Sequence, residues 1–345
     1  MRRQFRRGLV VGKFAPLHRG HELLIRRACE QCEEVIVLSY NQPEMIGCEP
    51  DKREQWLAEL FPQTRRLVLT QSLLDTCLPG VRLPLNCEDD SIHRQFVGRL
   101  CCDLLGVDSV DAVFTSESYG DGFAAELTTY FQARNSAAPQ VVHVLVDQAR
   151  SAVPISGTAL RADVHGLRQW LSPAVYASFV EPVCLLGGES SGKSTLAIAL
   201  AQRLQTVSVP EYGRELWEAK GGALRPDDML HIAETQIARE EQARRNAHRF
   251  LFCDTSPLTT LFYARDLSGV ADAKLEQLAL RPYRLAVLCE PDFPFVQDGT
   301  RRDAAFRERQ HLWYLEMLAS SGQPWMLASG SVADRVGMVC EALGV

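Results

Sequence analysis

Pro182-Val-Cys-Leu-Leu-Gly-Gly-Glu-Ser-Ser-Gly-Lys-Ser-Thr-Leu-Ala-Ile-Ala-Leu-Ala201 reads as an apolar strand, a glycine-rich turn and a helix in direct succession. Within it, Gly187 to Ser194 fit G-x-x-x-x-G-K-[ST], in which backbone N–H groups curl around phosphates while the lysine meets the β/γ-phosphates and the hydroxyl meets Mg²⁺. Gly187, Gly188, Ser190, Ser191, Gly192, Lys193, Ser194 and Thr195 are therefore candidate ATP-binding residues, with Ser194 a candidate Mg²⁺ ligand. A second phosphate-gripping stretch of different logic lies earlier, at Gly12-Lys-Phe-Ala-Pro-Leu-His-Arg-Gly-His21. It follows an apolar run and ends where a helical pattern begins, at a helix N-terminus that attracts anions.

Both loops sit in runs of alternating strand and helix. Residues 8–12, 34–39, 66–70, 111–115 and 141–146 read as strands, and a second series restarts at 182–186 and continues at 206–210, 250–254, 284–289 and 325–328. Apolar runs without polar alternation, separated by helical segments, predict parallel sheets covered on both faces, hence two doubly wound α/β domains. The restart places the boundary near residues 179–182, giving domains 1–180 and 181–345, which also suits the length of 345 residues. Ligands are expected at the carboxyl edges of the strands.

Composition narrows the class. With 46% hydrophobic residues, 23% charged residues and no long apolar run, the sequence predicts a globular protein without stable membrane association. A net charge of −6 argues against nucleic acid as the main partner. Arg2, Arg3, Arg6 and Arg7 precede no signal-peptide core. Eleven cysteines, an odd number set mostly in apolar stretches, predict a reducing, cytoplasmic setting. Cys29-Glu-Gln-Cys32 is the one CxxC; it lacks a second pair at zinc spacing and is expected inside a helix, so neither metal nor redox work is assigned to it.

The first loop is similar to the G-x-F-x-P-x-H-x-G-H signature of the nucleotidyltransferase superfamily, and Ile155-Ser-Gly-Thr-Ala-Leu-Arg161 to its second signature, I-S-x-T-x-x-R. Ser156 and Thr158 are expected to cap the following helix, and Arg161 to face phosphate oxygens. Thr115-Ser116-Glu117 at a strand end, Val144-Leu-Val-Asp147 ahead of the second signature, and Arg53 with Trp56 further resemble nicotinamide mononucleotide adenylyltransferases, in which Thr115, Ser116, Glu117, Arg53 and Trp56 would contact substrate. The resemblance implies a Rossmann-like domain in which the mononucleotide phosphate attacks the α-phosphorus of ATP. Gly12, Lys13, Phe14, His18, His21, Ser156, Thr158 and Arg161 would bind ATP, with His18, His21 and Arg161 the catalytic candidates. Metal held by His18 and His21 is the competing reading, but no third ligand is evident.

In the second half, Glu211 in Glu-Tyr-Gly-Arg214 and Asp254 at the end of an apolar strand are carboxylates expected at the phosphate edge. Asp254 would orient Mg²⁺ or its water and Glu211 would act as base, although the roles are interchangeable on sequence. Each carboxylate also has a plain reading as a helix cap. Arg301, in Gln297-Asp-Gly-Thr-Arg301, is the candidate to clamp the transferred phosphoryl group.

Together these segments, with Tyr212 and Arg214 as substrate candidates, resemble the NadR-type bifunctional proteins. In that family an adenylyltransferase precedes a P-loop ribosylnicotinamide kinase. The resemblance implies NAD salvage, with ATP, ribosylnicotinamide, nicotinamide mononucleotide and NAD as small-molecule partners and Mg²⁺ as cofactor. Two departures stand out: a short lid after Arg301, and a family tryptophan segment replaced around Ser91-Ile-His-Arg-Gln95. With eleven residues ahead of Gly12, no helix-turn-helix unit and no sequence-specific DNA binding are expected. A kinase with a non-catalytic, nucleotide-binding first domain is the alternative, and a pure sensor is a third reading. Homo-oligomerisation is left open.

Overall fold

The computed structural model describes residues 3–295 and 302–345. Two compact units divide the chain, Met1–Ser178 and Phe179–Val345.

In the first unit, strands β1 (Phe5–Gly12), β2 (Cys32–Ser39), β3 (Arg65–Val68), β4 (Ala112–Thr115) and β5 (Val142–Leu145) form one parallel sheet in the order β3-β2-β1-β4-β5. The chain builds outward from β1 on one side, then returns to build on the other. The order therefore reverses between β1 and β4, and the loops leaving these two strands part to open a crevice. The helices that cover the sheet are amphipathic for a legible reason. In Gly120–Arg134 the buried Phe123, Ala124, Leu127 and Phe131 recur at helical spacing and pack with Leu9, Ile36 and Val113 of the sheet.

In the second unit, β6 (Glu181–Leu186), β7 (Ser208–Val209), β8 (Phe250–Asp254), β9 (Leu285–Cys289) and β10 (Trp325–Ala328) form a second parallel sheet, ordered β10-β9-β6-β8-β7. Central β8 and β9 are buried along their whole length, as apolar runs without alternation predict. Leu196 and Leu200 of helix Lys193–Arg203 pack with Val183, Phe252 and Val287.

Several boundaries differ from the sequence expectation, three of them for a legible local reason. Strand β3 stops at Val68 because the Thr70 hydroxyl leaves the strand to accept from Leu73 N–H as a helix cap, at 3.1 Å. Strand β7 shrinks to two residues at the sheet edge, next to Pro210, which has no N–H to give. Cys32 is not helical: helix Arg19–Gln31 ends one residue earlier and Cys32 opens β2. Burial pushes its thiol up to about 12, so it stays protonated. No cluster of three or more metal-ligating His, Cys, Asp or Glu side chains exists among the described residues. No helix among them is long and apolar enough to cross a membrane.

This packing has a direct test. Phe131→Ala, at a fully buried ring, is expected to cost about 3–5 kcal/mol, whereas Val142→Ala on the exposed edge strand should stay within about 0.5 kcal/mol. Urea unfolding monitored by circular dichroism reads both; equal midpoints would contradict the assigned core.

Candidate functional site

Strand β1 delivers Gly12 to the crevice, where a cavity of about 530 Å³ is lined by Lys13, Phe14, His18, His21, Thr115 and Arg161, among others. The two histidines act on the backbone first. His18 is the N-cap of helix Arg19–Gln31, and its Nδ1 accepts from the N–H groups of Gly20 (3.1 Å) and His21 (3.4 Å). His21 Nδ1 in turn accepts from His18 N–H at 3.4 Å, completing a reciprocal cap built from two imidazoles stacked 3.7 Å apart. These helix-terminal donors are therefore already partnered.

Burial, with Arg150 and Arg161 nearby, pulls His18 down to about 4. Burial first, and His18 second, hold His21 well below its ordinary value. Both rings are neutral at physiological pH. With Nδ1 of His18 accepting, its proton resides on Nε2, leaving a donor without added charge. Positive charge in the cavity comes instead from Lys13, Arg94, Arg150 and Arg161.

The second signature folds against the first. Ser156 caps helix Gly157–Ala162 by accepting from Ala159 N–H at 3.2 Å. Thr158 does not cap; its hydroxyl accepts from Arg161 Nη2 at 3.0 Å while Arg161 Nη1 donates to the Ala15 carbonyl at 2.6 Å. Thr115 Oγ1 lies 2.8 Å from His143 Nε2, and His143 Nδ1 lies 2.8 Å from Asp121, so the strand end is fixed by a polar chain. Glu117 and Arg150 pair at 3.2 Å on the cavity wall, where Ser116 and Asp147 also lie.

Arg53 and Trp56, expected to touch substrate, do not line the cavity. Arg53 is fully buried, donating to both Glu44 oxygens (2.7 and 2.8 Å), the Cys48 carbonyl (3.1 Å) and Ser39 Oγ (2.7 Å). Ser39 Oγ passes the contact on to the Lys13 carbonyl at 3.2 Å, so Arg53 braces the loop from behind. Buried Trp56 donates to Ser178 Oγ at 2.9 Å.

In the second unit β6 runs into the glycine-rich loop, and a cavity of about 730 Å³ opens beside it. Gly187, Ser190 and Gly192 have φ of 144°, 59° and 85°, and these left-handed turns curl the backbone around a common centre. A Cβ on Gly187 would sit 2.6 Å from Ser191 Oγ and 2.9 Å from the Cys289 carbonyl. Lys193 Nζ donates to the carbonyls of Gly187 (2.9 Å) and Gly188 (3.2 Å), while Ser190, Ser191, Ser194 and Thr195 line the cavity.

Neither carboxylate serves as a helix cap. Glu211 precedes helix Tyr212–Ala219 without a side-chain cap bond, and it is Ser256 that caps Pro257–Ser268. Glu211 lines the cavity, and its carboxyl is pushed up, first by burial and then by the charges of Asp254 and Glu189, against the pull of Lys193 and Arg214. Asp254, 5% exposed, keeps Oδ1 buried with no hydrogen-bond partner. An orphaned carboxylate oxygen at the end of the strand beside the loop, with the Ser194 hydroxyl at the loop's own end, is the all-oxygen donor set a hard cation such as Mg²⁺ takes. Arg214 lines the cavity; Tyr212 does not, and its hydroxyl lies 3.2 Å from His231 Nε2. Arg301 lies outside the described residues.

A family description for an AAA domain matches residues 182–335. The trifunctional NAD biosynthesis/regulator protein NadR of Salmonella typhimurium (strain LT2) is 30% identical over 318 residues, 87% of this chain and 72% of that protein. The chain belongs to the NadR family. Escherichia coli (strain K12) NadR is 29% identical over 311 residues, 85% of this chain and 71% of that protein. Two crystal structures share the fold at a TM-score of 0.70: NadR with NR (21% identity, 99% of this chain and 96% of that one), and NadR with NAD and AMP-PNP (20% identity, 99% and 97%). The NadR-family chain is thus an NAD-biosynthesis enzyme with a P-loop, ATP-binding second half.

Motif reading missed several residues that the fold brings to these walls. His93 and Arg94, from the segment where the family tryptophan is replaced, line the first cavity with Tyr40 and Tyr119. In the second, Glu189 lies inside the phosphate loop motif at a position the motif leaves free. It accepts from Tyr263 OH (3.0 Å) and Arg302 N–H (2.6 Å). Only the fold makes these partners visible.

The depressed His18 value has a signed consequence. Because the folded value of about 4 lies below the ordinary 6.5, the stabilisation is fully present above pH 6.5 and is lost as pH falls toward 4, on the order of 3 kcal/mol in all. Imidazole NMR shifts should therefore show His18 titrating near pH 4 in the folded protein; a midpoint near 6.5 would refute the buried, neutral cap.

Proposed function

We propose that this chain is bifunctional, phosphorylating ribosylnicotinamide in its second unit and adenylylating nicotinamide mononucleotide to NAD in its first. The contrast between the two cavity walls carries this reading. Around the first loop stand Lys13, Arg161 and two neutral imidazoles, with Glu117 of the same wall paired to Arg150; around the second, Glu211, a carboxylate with a raised pKa, faces the phosphate loop and its Lys193. An attacking phosphate needs no base, whereas an attacking hydroxyl does.

In the first unit an oxygen of the mononucleotide phosphate attacks the α-phosphorus of ATP, and the bond to pyrophosphate breaks with its electron pair. Lys13, Arg161 and Arg150 neutralise the growing charge, and the His18 Nε2 proton is available to the phosphates. His21 keeps His18 aligned through the shared cap. In the second unit Glu211 takes the proton of the ribosyl hydroxyl as its oxygen attacks the γ-phosphorus, and ADP leaves. Lys193 moves from the loop carbonyls to the β/γ-phosphates. Mg²⁺, which Asp254 and Ser194 are suited to hold, would neutralise charge on the triphosphate. The relatives' NAD-related name and the NR, NAD and AMP-PNP bound in crystals of NadR support the choice of substrates.

The test is incubation of purified protein with ATP, Mg²⁺ and ribosylnicotinamide, followed by chromatography for both products. Lys193→Ala is expected to lower mononucleotide formation by roughly 10²-fold or more while NAD still forms from supplied mononucleotide. His21→Ala should do the reverse. Mononucleotide without NAD, even from supplied mononucleotide, would leave a kinase with a binding module in front. The kinase rate should also fall on acidification at a pH above the ordinary carboxylate range, since Glu211 must be deprotonated and its pKa is raised. A rate flat down to pH 4.5 would remove Glu211 as the base.

A further inference from the structure

Arg335 belongs to none of the motifs, yet it is 1% exposed, among the largest fully buried side chains in the protein. It stands in the first turns of helix Val332–Leu343, and its guanidinium spans three strand-end loops. Nη1 donates to the Ser191 carbonyl of the phosphate loop at 2.7 Å, Nη2 to the Glu290 carbonyl beyond β9 at 3.0 Å, and Nε to the Gly330 carbonyl beyond β10 at 3.1 Å. Asp292 supplies the pairing carboxylate, and the Phe293 ring lies 4.4 Å from the guanidinium carbon.

The Ser191 contact fixes a direction. In a planar trans peptide the C=O and the following N–H point to opposite sides. Holding the Ser191 carbonyl outward against Arg335 therefore aims the Gly192 N–H the other way, into the turn where the loop presents its donors. Gly192 has φ of 85°, and a Cβ there would meet the Phe293 ring at 3.2 Å. The conformation is thus held by Arg335 through the carbonyl and walled by Phe293 at the α-carbon.

We propose that Arg335 is a positioning residue for triphosphate binding in the second unit, acting through the Ser191–Gly192 peptide to hold one phosphate-binding N–H in place. This rests on the reading of that unit as the site where the phosphate loop binds ATP, and it does not depend on the identity of the acceptor.

Calorimetric titration of the full chain with ATP–Mg²⁺ and with inorganic tripolyphosphate tests it, using Lys193→Ala to mark the binding event that belongs to the phosphate loop. Arg335→Met is expected to weaken that event roughly tenfold or more for both ligands, the scale of one oriented donor to a charged group. Arg335→Lys, which can reach one carbonyl but not three, should recover part of the loss. Urea unfolding confirms that each variant remains cooperatively folded. Wild-type affinity in a folded Arg335→Met would overturn the proposal, as would a loss for ATP that tripolyphosphate does not share. Wild-type protein that binds ATP through Lys193 but transfers no phosphoryl group to ribosylnicotinamide would instead remove the kinase reading and leave the role of Arg335 standing.

Discussion

A planar peptide cannot aim its N–H and its C=O at the same point, and this constraint governs both sites. A loop that turns donors toward a phosphate turns carbonyls away from it, and each of those buried acceptors needs a partner on the far side. Both units meet part of the need with polar side chains set behind the loop. In the first, Ser39 and Asn41 hold the Lys13 carbonyl and the buried Arg53 holds Ser39. In the second, the buried Arg335 holds the Ser191 carbonyl. Arg161 and Lys193, which line the cavities, hold further loop carbonyls from the ligand side.

Using arginine for this work is costly, since desolvating a guanidinium demands nearly complete hydrogen bonding in return. Arg53 and Arg335 meet that demand in the same way. Each binds one partly exposed carboxylate, Glu44 or Asp292; Arg53 gives its remaining donors to a carbonyl and a hydroxyl, and Arg335 to three carbonyls. The rigid fork of five N–H donors suits this; a lysine would be a point charge with nothing to span separate loops. Removing either arginine would strand several acceptors at once, so the loops are tied to the core rather than to neighbouring surface.

What was legible in the sequence follows from the range of each interaction. Strand positions could be read because an apolar run buried on both faces, as in Phe250–Asp254, is a local property of the chain. The two loops could be read because glycine, lysine and histidine spacing is local too. The roles of Arg53 and Thr158 were not, since a buried brace and a substrate contact have the same one-letter signature. Arg335 gave no signal because its key partner, Ser191, lies 144 positions away. Tyr212 lies beside Glu211 in sequence but turns toward His231, whereas His93 and Arg94 reach the first cavity from a segment that reads only as a departure from the family pattern.

The electrostatics of the two walls complete the division between them. Burial disfavours charge in both, but the pKa shift it causes depends on the group: it lowers those of His18 and His21 and raises that of Glu211. In the first cavity the result is a set of neutral donors among arginines, able to follow charge moving onto a leaving pyrophosphate without repelling those arginines. In the second, the carboxylate gains basicity because water is excluded and because Asp254 and Glu189 stand near, while Lys193 keeps it from being neutralised outright. A carboxylate in place of His18 would oppose the incoming phosphate. The same fold logic, a loop at the edge of a parallel sheet, thus suits the two proposed phosphate transfers, which differ in what burial does to the side chains beside the loop.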